Sequence, residues 1–251
     1  MAPPLCVIRQ GFPDRPAFGT AVSRALLTRV AGGELPPTLR LHRPGPTLAF
    51  SRQDAASPGY RAAARAAREA GFEPVLRLAG GRAAVYHRGT LACSWAVPDR
   101  LPAARTFERF RELAGLLAET LRRLRVDARV GEVPGEYCPG AWSVNARGQR
   151  KLVGIGQRIV AGAAHRGAVI VVSGTGAIRD VLVPVYESLE LEWDPETVGS
   201  VEDEIGGVGL ETVEGAILDV IGEHYRLDAD ELDQETLELA SSLEPAHRVD
   251  T

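Results

Sequence analysis

The chain has 251 residues, of which 45% are hydrophobic and 25% are charged, and its formal net charge is −4. This composition is typical of a soluble globular protein that forms one large domain, and its acidic balance gives no basic footprint for a nucleic-acid partner. No apolar run approaches the roughly 20 residues that span a bilayer, and the N-terminus does not have the pattern of a secretory signal. We therefore expect neither a nucleic-acid nor a membrane partner.

Cysteine usage indicates a reducing compartment. The three cysteines, Cys6, Cys93 and Cys138, are odd in number and have no CxxC spacing. This argues against a disulfide framework and against a structural zinc site. We expect a cytoplasmic protein without a bound metal.

Apolar spacing and turn residues predict the elements in chain order. They are a helix over residues 14–33, strands over 38–42 and 47–50, a helix between residues 59 and 71, three strands between 74 and 97, a long helix over 104–124, strands over 142–144, 152–155 and 168–172, and a helix over 210–225. The strand over 168–172 is apolar throughout and is expected to be central in a sheet. The acidic tail after Leu227 is predicted as a peripheral helix, so one α/β domain with a short helical C-terminal extension is the simplest arrangement.

One face of the long helix is apolar. It carries two aromatic and four aliphatic side chains at helical spacing, Phe107, Phe110, Leu113, Leu117, Leu121 and Leu124. Such a pattern indicates core packing rather than a binding surface.

Lys151 is the single lysine of the chain. Arginine can replace lysine wherever only a positive charge is needed, but not where a compact, deprotonable ammonium is required. Lys151 is therefore a candidate functional residue, and the alternative is a surface cation that remained by chance. Replacing it with arginine is expected to reduce activity by orders of magnitude with little loss of stability.

A first candidate site lies at Arg77 and the Gly80-Gly81 pair. Adjacent glycines let the backbone approach a ligand and can form an anion-binding nest, and the arginine could hold a carboxylate or phosphate. The alternative is an ordinary hairpin turn, for which Gly-Gly is a common dipeptide.

A second candidate site combines Cys138 with Lys151. Residues 145–149 are predicted as a hairpin loop, which would bring the lysine back towards the cysteine, where a cation stabilises a thiolate. Gly154 and Gly156 would leave room for an apolar tail. The alternative for Cys138 is an inert buried thiol, an interpretation that fits Cys6 and Cys93 better.

Two histidines are weaker candidates. His87 follows a predicted strand near the glycine turn and could act as a supporting base, although a structural role is commoner. His165 is predicted in a loop over residues 162–167, with a slightly lower chance of function.

Together, the two sites resemble the lipoate–protein ligase, octanoyltransferase and biotin ligase superfamily. The family's Arg-x-x-Gly-Gly signature, followed by a strand and a Gly-x-Leu turn, matches residues 77–81, Val85 and residues 89–91. Its second signature, a lysine that opens a strand before Gly-x-x-Gln-Arg, matches residues 151–158. Each motif is weak, but their conjunction over roughly residues 14–200 is specific.

The resemblance implies an α/β (α+β) fold with a mixed, largely antiparallel sheet flanked by helices, as in biotin and lipoate ligases. It implies a catalytic domain over residues 1–205 and a short helical C-terminal extension over 206–251. Tyr-Cys-Pro-Gly before the lysine strand is most similar to the cysteine-dependent octanoyltransferases, and within them to the amidotransferase branch. Cys138 would then be the nucleophile and Lys151 its partner, and the substrate-binding residues would be Arg77, Gly80, Gly81, Val85, His87, Gly154 and Gln157.

The implied activity is transfer of an octanoyl or lipoyl group onto the lysine of a lipoyl-carrier domain, through an acyl-thioester on Cys138. Carrier proteins would be donor and acceptor, and no cofactor would be required. Lys151 would lower the pKa of the thiol and later accept a proton from the incoming amine. Two alternatives stay open: an ATP-dependent lipoate–protein ligase that uses ATP and Mg to form an acyl-adenylate, and a non-catalytic acyl-binding paralogue.

Overall fold

The computed structural model describes residues 2–250. The strands are β1 (Pro4–Ile8), β2 (Thr38–His42), β3 (Thr47–Phe50), β4 (Glu73–Leu76), β5 (Ala84–Tyr86), β6 (Thr90–Pro98), β7 (Ala128–Val130), β8 (Val144–Ala146), β9 (Arg150–Val160), β10 (Ala163–Val171) and β11 (Arg226–Asp230). The α-helices are α1 (Pro16–Ala31), α2 (Arg52–Ala55), α3 (Tyr60–Glu69), α4 (Thr106–Arg123), α5 (Thr175–Ser188), α6 (Val201–Ile205), α7 (Leu210–Gly222) and α8 (Gln234–Leu243). Strands β2 and β3 have the predicted bounds.

Eight strands form one mixed sheet in the order β11-β1-β2-β6-β10-β9-β8-β7. The pairs β11–β1 and β1–β2 are parallel, and the other pairs are antiparallel. The expected mixed, largely antiparallel sheet is therefore confirmed. Strand β10 lies between β6 and β9, so the apolar run that begins at residue 168 is central, as predicted. A second sheet has three strands in the order β4-β3-β5.

The main core lies on one face of the large sheet. Odd-numbered residues of β2 and β6, among them Leu41 and Trp95, pack there against α4 and α7. Burying one large apolar side chain fully stabilises the folded state by about 1.5–3 kcal/mol relative to leaving it exposed. Helix α1 covers part of the opposite face, where its Leu27 and Val30 pack against the large sheet. The rest of that face is left for the cavity described below.

The prediction that Phe107 packs in the core is wrong. Its side chain is 70% exposed, whereas Leu113, Leu117 and Leu121 on the same helix are buried. Phe110 is half-buried and stacks on Trp142, with ring centroids 6.2 Å apart. At 3.6 residues per turn, Phe107 lies about 120° around α4 from Leu113, so its side chain faces away from the core.

The C-terminal region is helical, as expected, but it also contains a strand. Residues 226–230 form β11, which pairs in parallel with β1 at the sheet edge, so the tail after Leu227, predicted as helix, begins as a strand. Helix α8 then packs on α1, where Arg29 donates to Asp233 and Thr236. The boundary between residues 205 and 206 stays a prediction. Within residues 2–250, no helix combines the length and apolar character needed to cross a bilayer.

Candidate active site

A cavity of about 680 Å³ lies between the α1 side of the large sheet and the small sheet. Small residues create the space, because Ser94, Gly167 and Gly156 stand side by side on β6, β10 and β9 and all line it. A Cβ at Gly156 would come within 2.8 Å of the Ala79 Cβ. The cavity is lined mainly by apolar and small side chains, which suits an acyl chain.

A β-bulge turns Lys151 into this cavity. Val153 pairs with Val144, whereas Lys151 pairs with Asn145, so β9 has one residue more than β8 at this step. Side chains alternate along a strand, and a bulge reverses the face that the next residue takes. Leu152 and Val153 therefore both join the core on the α4 side, while Lys151 lines the cavity.

The Lys151 ammonium holds the loop that carries Cys138. It is 1% exposed, and its Nζ donates to Glu136 Oε1 at 3.1 Å, to the Tyr137 carbonyl at 3.0 Å and to the Cys138 carbonyl at 2.7 Å. An ammonium has three N–H donors, so these acceptors use all of them. The burial and the three hydrogen bonds exclude the alternative that Lys151 is an ordinary surface cation.

Glu136 is the acidic partner that the sequence analysis missed. Its buried carboxylate accepts from Lys151, from Ser143 Oγ at 2.6 Å, from the Gly140 N–H at 3.0 Å and from the Val133 N–H at 3.2 Å. A buried charge is tolerated when it is paired and hydrogen-bonded in this way. These bonds tie residues 131–143, called here the cysteine loop, to β9. A glutamate two positions before Cys138 was the only available signal.

The surroundings of the Cys138 thiol stabilise its thiolate form. Its Sγ accepts from the Arg82 backbone N–H at 3.2 Å and from Arg77 Nη2 at 3.4 Å. Burial raises the pKa of the thiol, but the charges of Arg77 and Lys151, together with the two hydrogen bonds, outweigh burial and hold that pKa below its ordinary value. Because the thiolate is the reactive form of a cysteine, Cys138 is a candidate nucleophile.

The other two cysteines differ from Cys138. Burial, with a contribution from Asp230, raises the pKa of Cys6 to about 11, and burial raises that of Cys93 to about 12. Both thiols stay protonated at neutral pH, in agreement with their predicted inertness. In the part of the chain described, residues 2–250, no group of three or more His, Cys, Asp or Glu side chains is arranged to hold a metal ion.

Arg77 contacts the thiol and its surrounding turn. Besides Cys138, its Nη2 donates to the Gly80 carbonyl at 2.6 Å and to the Arg82 carbonyl at 2.7 Å. The resemblance implied that this turn binds substrate, and that stays a prediction. The geometry also gives the guanidinium a direct electrostatic effect on the sulfur.

Replacing Arg77 with glutamine is expected to raise the pKa of Cys138, because it removes the positive charge that most opposes the effect of burial. The thiolate fraction then falls at any pH below the new pKa. A shift of one unit reduces it about tenfold, and iodoacetamide alkylation of Cys138 at pH 7, followed by mass spectrometry, measures this. Arg82→Gln is the matched control, because only the backbone N–H of Arg82 contacts the sulfur. Equal alkylation profiles for the two variants would contradict the role of Arg77.

Five of the predicted substrate residues, Arg77, Gly80, Gly81, Gly154 and Gln157, line the cavity. A Cβ at Gly81, where φ is +98°, would lie 2.6 Å from Arg77 Nη2 and 2.9 Å from Cys138 Sγ. Glycine is thus required at this position. The amide of Gln157 is bound by the Thr106 carbonyl and by Arg109, so it supports the start of α4.

The side chains of Val85 and His87 are not brought to the cavity. Val85 points into the core beneath the small sheet, because its neighbours Ala84 and Tyr86 take the cavity side of β5. The His87 ring accepts from the Gly89 N–H at 3.0 Å and packs beside Gly174, which precedes α5.

His165, rather than His87, lines the cavity. The predicted loop over 162–167 is wrong, because β10 begins at Ala163 directly after a tight turn from β9. His165 Nε2 lies 2.9 Å from Ser94 Oγ. Burial lowers the pKa of His165 to about 4, so the ring is neutral and forms a polar patch on the cavity wall.

The family model for the lipoyl protein ligase A/B catalytic domain matches residues 15–221 of the chain. The chain belongs to this family. Every residue of the cysteine loop, the Gly80-Gly81 turn and β9 falls inside the match. The match also runs past the boundary predicted at residue 205.

Two curated relatives of this lipoyl protein ligase A/B family member are named octanoyl-[GcvH]:protein N-octanoyltransferase. That of Anoxybacillus flavithermus (strain DSM 21510 / WK1) is 31% identical over 159 residues, or 63% of this chain and 57% of that protein. That of Exiguobacterium sp. (strain ATCC BAA-1283 / AT1b) is 27% identical over 191 residues, or 72% of this chain and 65% of that protein. The chain therefore spans less than two thirds of the length of these relatives.

A solved structure supports the fold. The crystal structure of lipoate-protein ligase A bound with ATP superimposes with a TM-score of 0.75 at 20% identity, covering 98% of this chain and 95% of that chain. At this identity the likeness shows the shared fold.

Proposed function

We propose that this protein is an acyltransferase that moves an octanoyl or lipoyl group onto the lysine of a lipoyl-carrier domain through an acyl-thioester on Cys138. The observation that carries the proposal is a thiol with a lowered pKa at a cavity lined mainly by apolar and small side chains. The names of the two relatives describe an octanoyl transfer from the carrier GcvH to a protein. Carrier proteins are thus the proposed donor and acceptor.

The proposed reaction has two half-reactions that balance. In the first, the Cys138 thiolate attacks the acyl carbonyl carbon of an acyl-lysine on the donor, the C–N bond breaks, and the leaving nitrogen takes up one proton. In the second, the acceptor lysine amine attacks the thioester, the C–S bond breaks, and the amine gives up one proton. The released Cys138 thiolate again accepts hydrogen bonds from Arg77 and from the Arg82 N–H. One proton is consumed and one is released, so neither ATP nor a redox partner is needed.

The contacts of Lys151 favour this reaction over an ATP-dependent ligase. In a ligase, Lys151 would bind the acyl carbonyl and the phosphate of an adenylate. Here all three of its N–H donors are bound by the cysteine loop, and an adenylate would have to displace at least one acceptor. A module that only binds acyl chains would not need a stabilised thiolate at Cys138. The same geometry therefore favours turnover over a non-catalytic paralogue.

The intact mass of the purified protein tests the proposal. Incubation with an octanoyl-carrier protein alone is expected to add one octanoyl group, and this adduct should be absent from Cys138→Ala. A parallel incubation with octanoate and Mg-ATP should add nothing. An acylated acceptor that forms only with ATP would move the assignment to the ligase, and stable acyl binding without any product would identify a binding module.

A further inference from the structure

Cys138 has a left-handed backbone conformation, with φ of 44°. Side chains with a Cβ rarely adopt it. Three other non-glycine residues in the described chain do so, and local motifs explain them. Arg125 and Glu190 lie two residues after the ends of helices α4 and α5, and Arg147 lies in the β8–β9 turn. Cys138 is in an irregular loop, so contacts with other parts of the fold must hold it.

Two such contacts hold the Cys138 backbone from opposite ends. Lys151 Nζ donates to its carbonyl at 2.7 Å. Its N–H donates to the hydroxyl of Tyr186 at 2.8 Å. The lysine belongs to the family signature, whereas Tyr186 lies in the last turn of α5, outside every motif discussed above.

The Tyr186 hydroxyl also reaches the segment that stabilises the sulfur. It donates to the Ala83 carbonyl at 3.0 Å, and the preceding residue, Arg82, supplies the N–H that Cys138 Sγ accepts. One hydroxyl thus connects the backbone of the nucleophile with the segment that carries its N–H donor. The sulfur and that donor keep their separation only if both segments keep their positions.

The phenol ring is fixed and lies outside the cavity. Tyr186 is 2% exposed, does not line the cavity, and packs against Trp193, with ring centroids 5.4 Å apart. Burial raises the pKa of the phenol well above its ordinary value, so the hydroxyl keeps the proton that it donates to Ala83.

We propose that Tyr186 is a positioning residue for the nucleophile, whose hydroxyl holds Cys138 in the left-handed conformation that places its sulfur against the Arg82 N–H. The proposal deepens, and rests on, the acyl-thioester function proposed for Cys138. Tyr186 acts through Cys138 and through the turn at residues 81–83, and it touches neither acyl chain nor carrier.

Tyr186→Phe removes the hydroxyl and keeps the ring. The expected result is a rise of about one unit in the pH midpoint of Cys138 alkylation by iodoacetamide, which corresponds to about tenfold slower alkylation at pH 7. The kcat for octanoyl transfer should fall about tenfold or more, with the KM for the carrier protein unchanged. Tyr60→Phe is the matched control, because the Tyr60 hydroxyl has no hydrogen-bond partner within residues 2–250 and its ring packs in the same apolar cluster.

A purely structural role for Tyr186 predicts a different result. In that case Tyr186→Phe would lower the melting temperature and leave the alkylation midpoint and kcat of the folded protein unchanged, and this outcome would overturn the proposal. The alkylation profile needs no acyl transfer, so it decides the role of Tyr186 even if Cys138 forms no thioester. Should the variant not fold, hydrogen exchange of the wild-type protein decides instead. The Cys138 amide is expected to be protected, and exchange at the rate of an unstructured peptide would overturn the proposal.

Discussion

Replacing Cys138 with serine should reduce octanoyl transfer by a factor of about 10³ or more, the scale of losing a catalytic nucleophile. A serine hydroxyl remains protonated at neutral pH. Within residues 2–250, the side chain that hydrogen-bonds to the Cys138 sulfur is that of Arg77, and a guanidinium cannot take up a proton. The contacts from Arg77 and the Arg82 N–H stabilise an existing negative charge, which the thiol can provide and a hydroxyl cannot. Initial rates of octanoyl transfer between carrier proteins measure the effect.

Cys6→Ser provides the control for that substitution. Cys6 is buried in the α1 layer, and its thiol contacts Asp230 at the far edge of the sheet. The Cys6 variant should keep the wild-type transfer rate. If Cys138→Ser transferred octanoyl groups at the rate of Cys6→Ser, Cys138 could not be the nucleophile.

Much of the fold could be predicted because its signals are local. The bounds of β2 and β3 follow from short apolar runs separated by a Pro-Gly turn, and α1 follows from a proline at its start and helical apolar spacing. Strand β11 could not be predicted in this way. Its sequence, RLDAD, lacks regular apolar alternation, and its pairing with β1 joins residues more than 200 positions apart.

The candidate site was predicted where it coincides with motifs and missed where it depends on tertiary contacts. The hairpin between β8 and β9 brings Lys151 to the cysteine loop, as the sequence analysis expected. The bulge that turns Lys151 into the cavity has no local signature, because it is defined by the partner strand. Glu136 and Tyr186 were missed for the same reason, since each acts by hydrogen bonds that only the folded chain creates.

Replacing Lys151 with methionine should abolish transfer and also destabilise the protein. The substitution leaves the buried carboxylate of Glu136 without its cation, and breaking such a pair costs about 3–5 kcal/mol. The sequence analysis expected little loss of stability for Lys151→Arg. That expectation does not allow for burial, since a guanidinium is larger than an ammonium and cannot direct three donors from one nitrogen. Transfer rates and urea denaturation measure the two effects.

The double variant Lys151→Met/Glu136→Gln separates the stability effect from the catalytic one. With both charges removed, much of the lost stability should return, because no unpaired charge remains buried. Transfer should stay at the level of Lys151→Met, since the Cys138 carbonyl still lacks its donor and the thiol still lacks one of the two cations that lower its pKa. Arg150→Lys, one residue earlier on β9, should retain both activity and stability. Recovery of transfer in the double variant would mean that Lys151 serves only to neutralise Glu136, and that Arg77 and the Arg82 N–H are sufficient to activate the thiol.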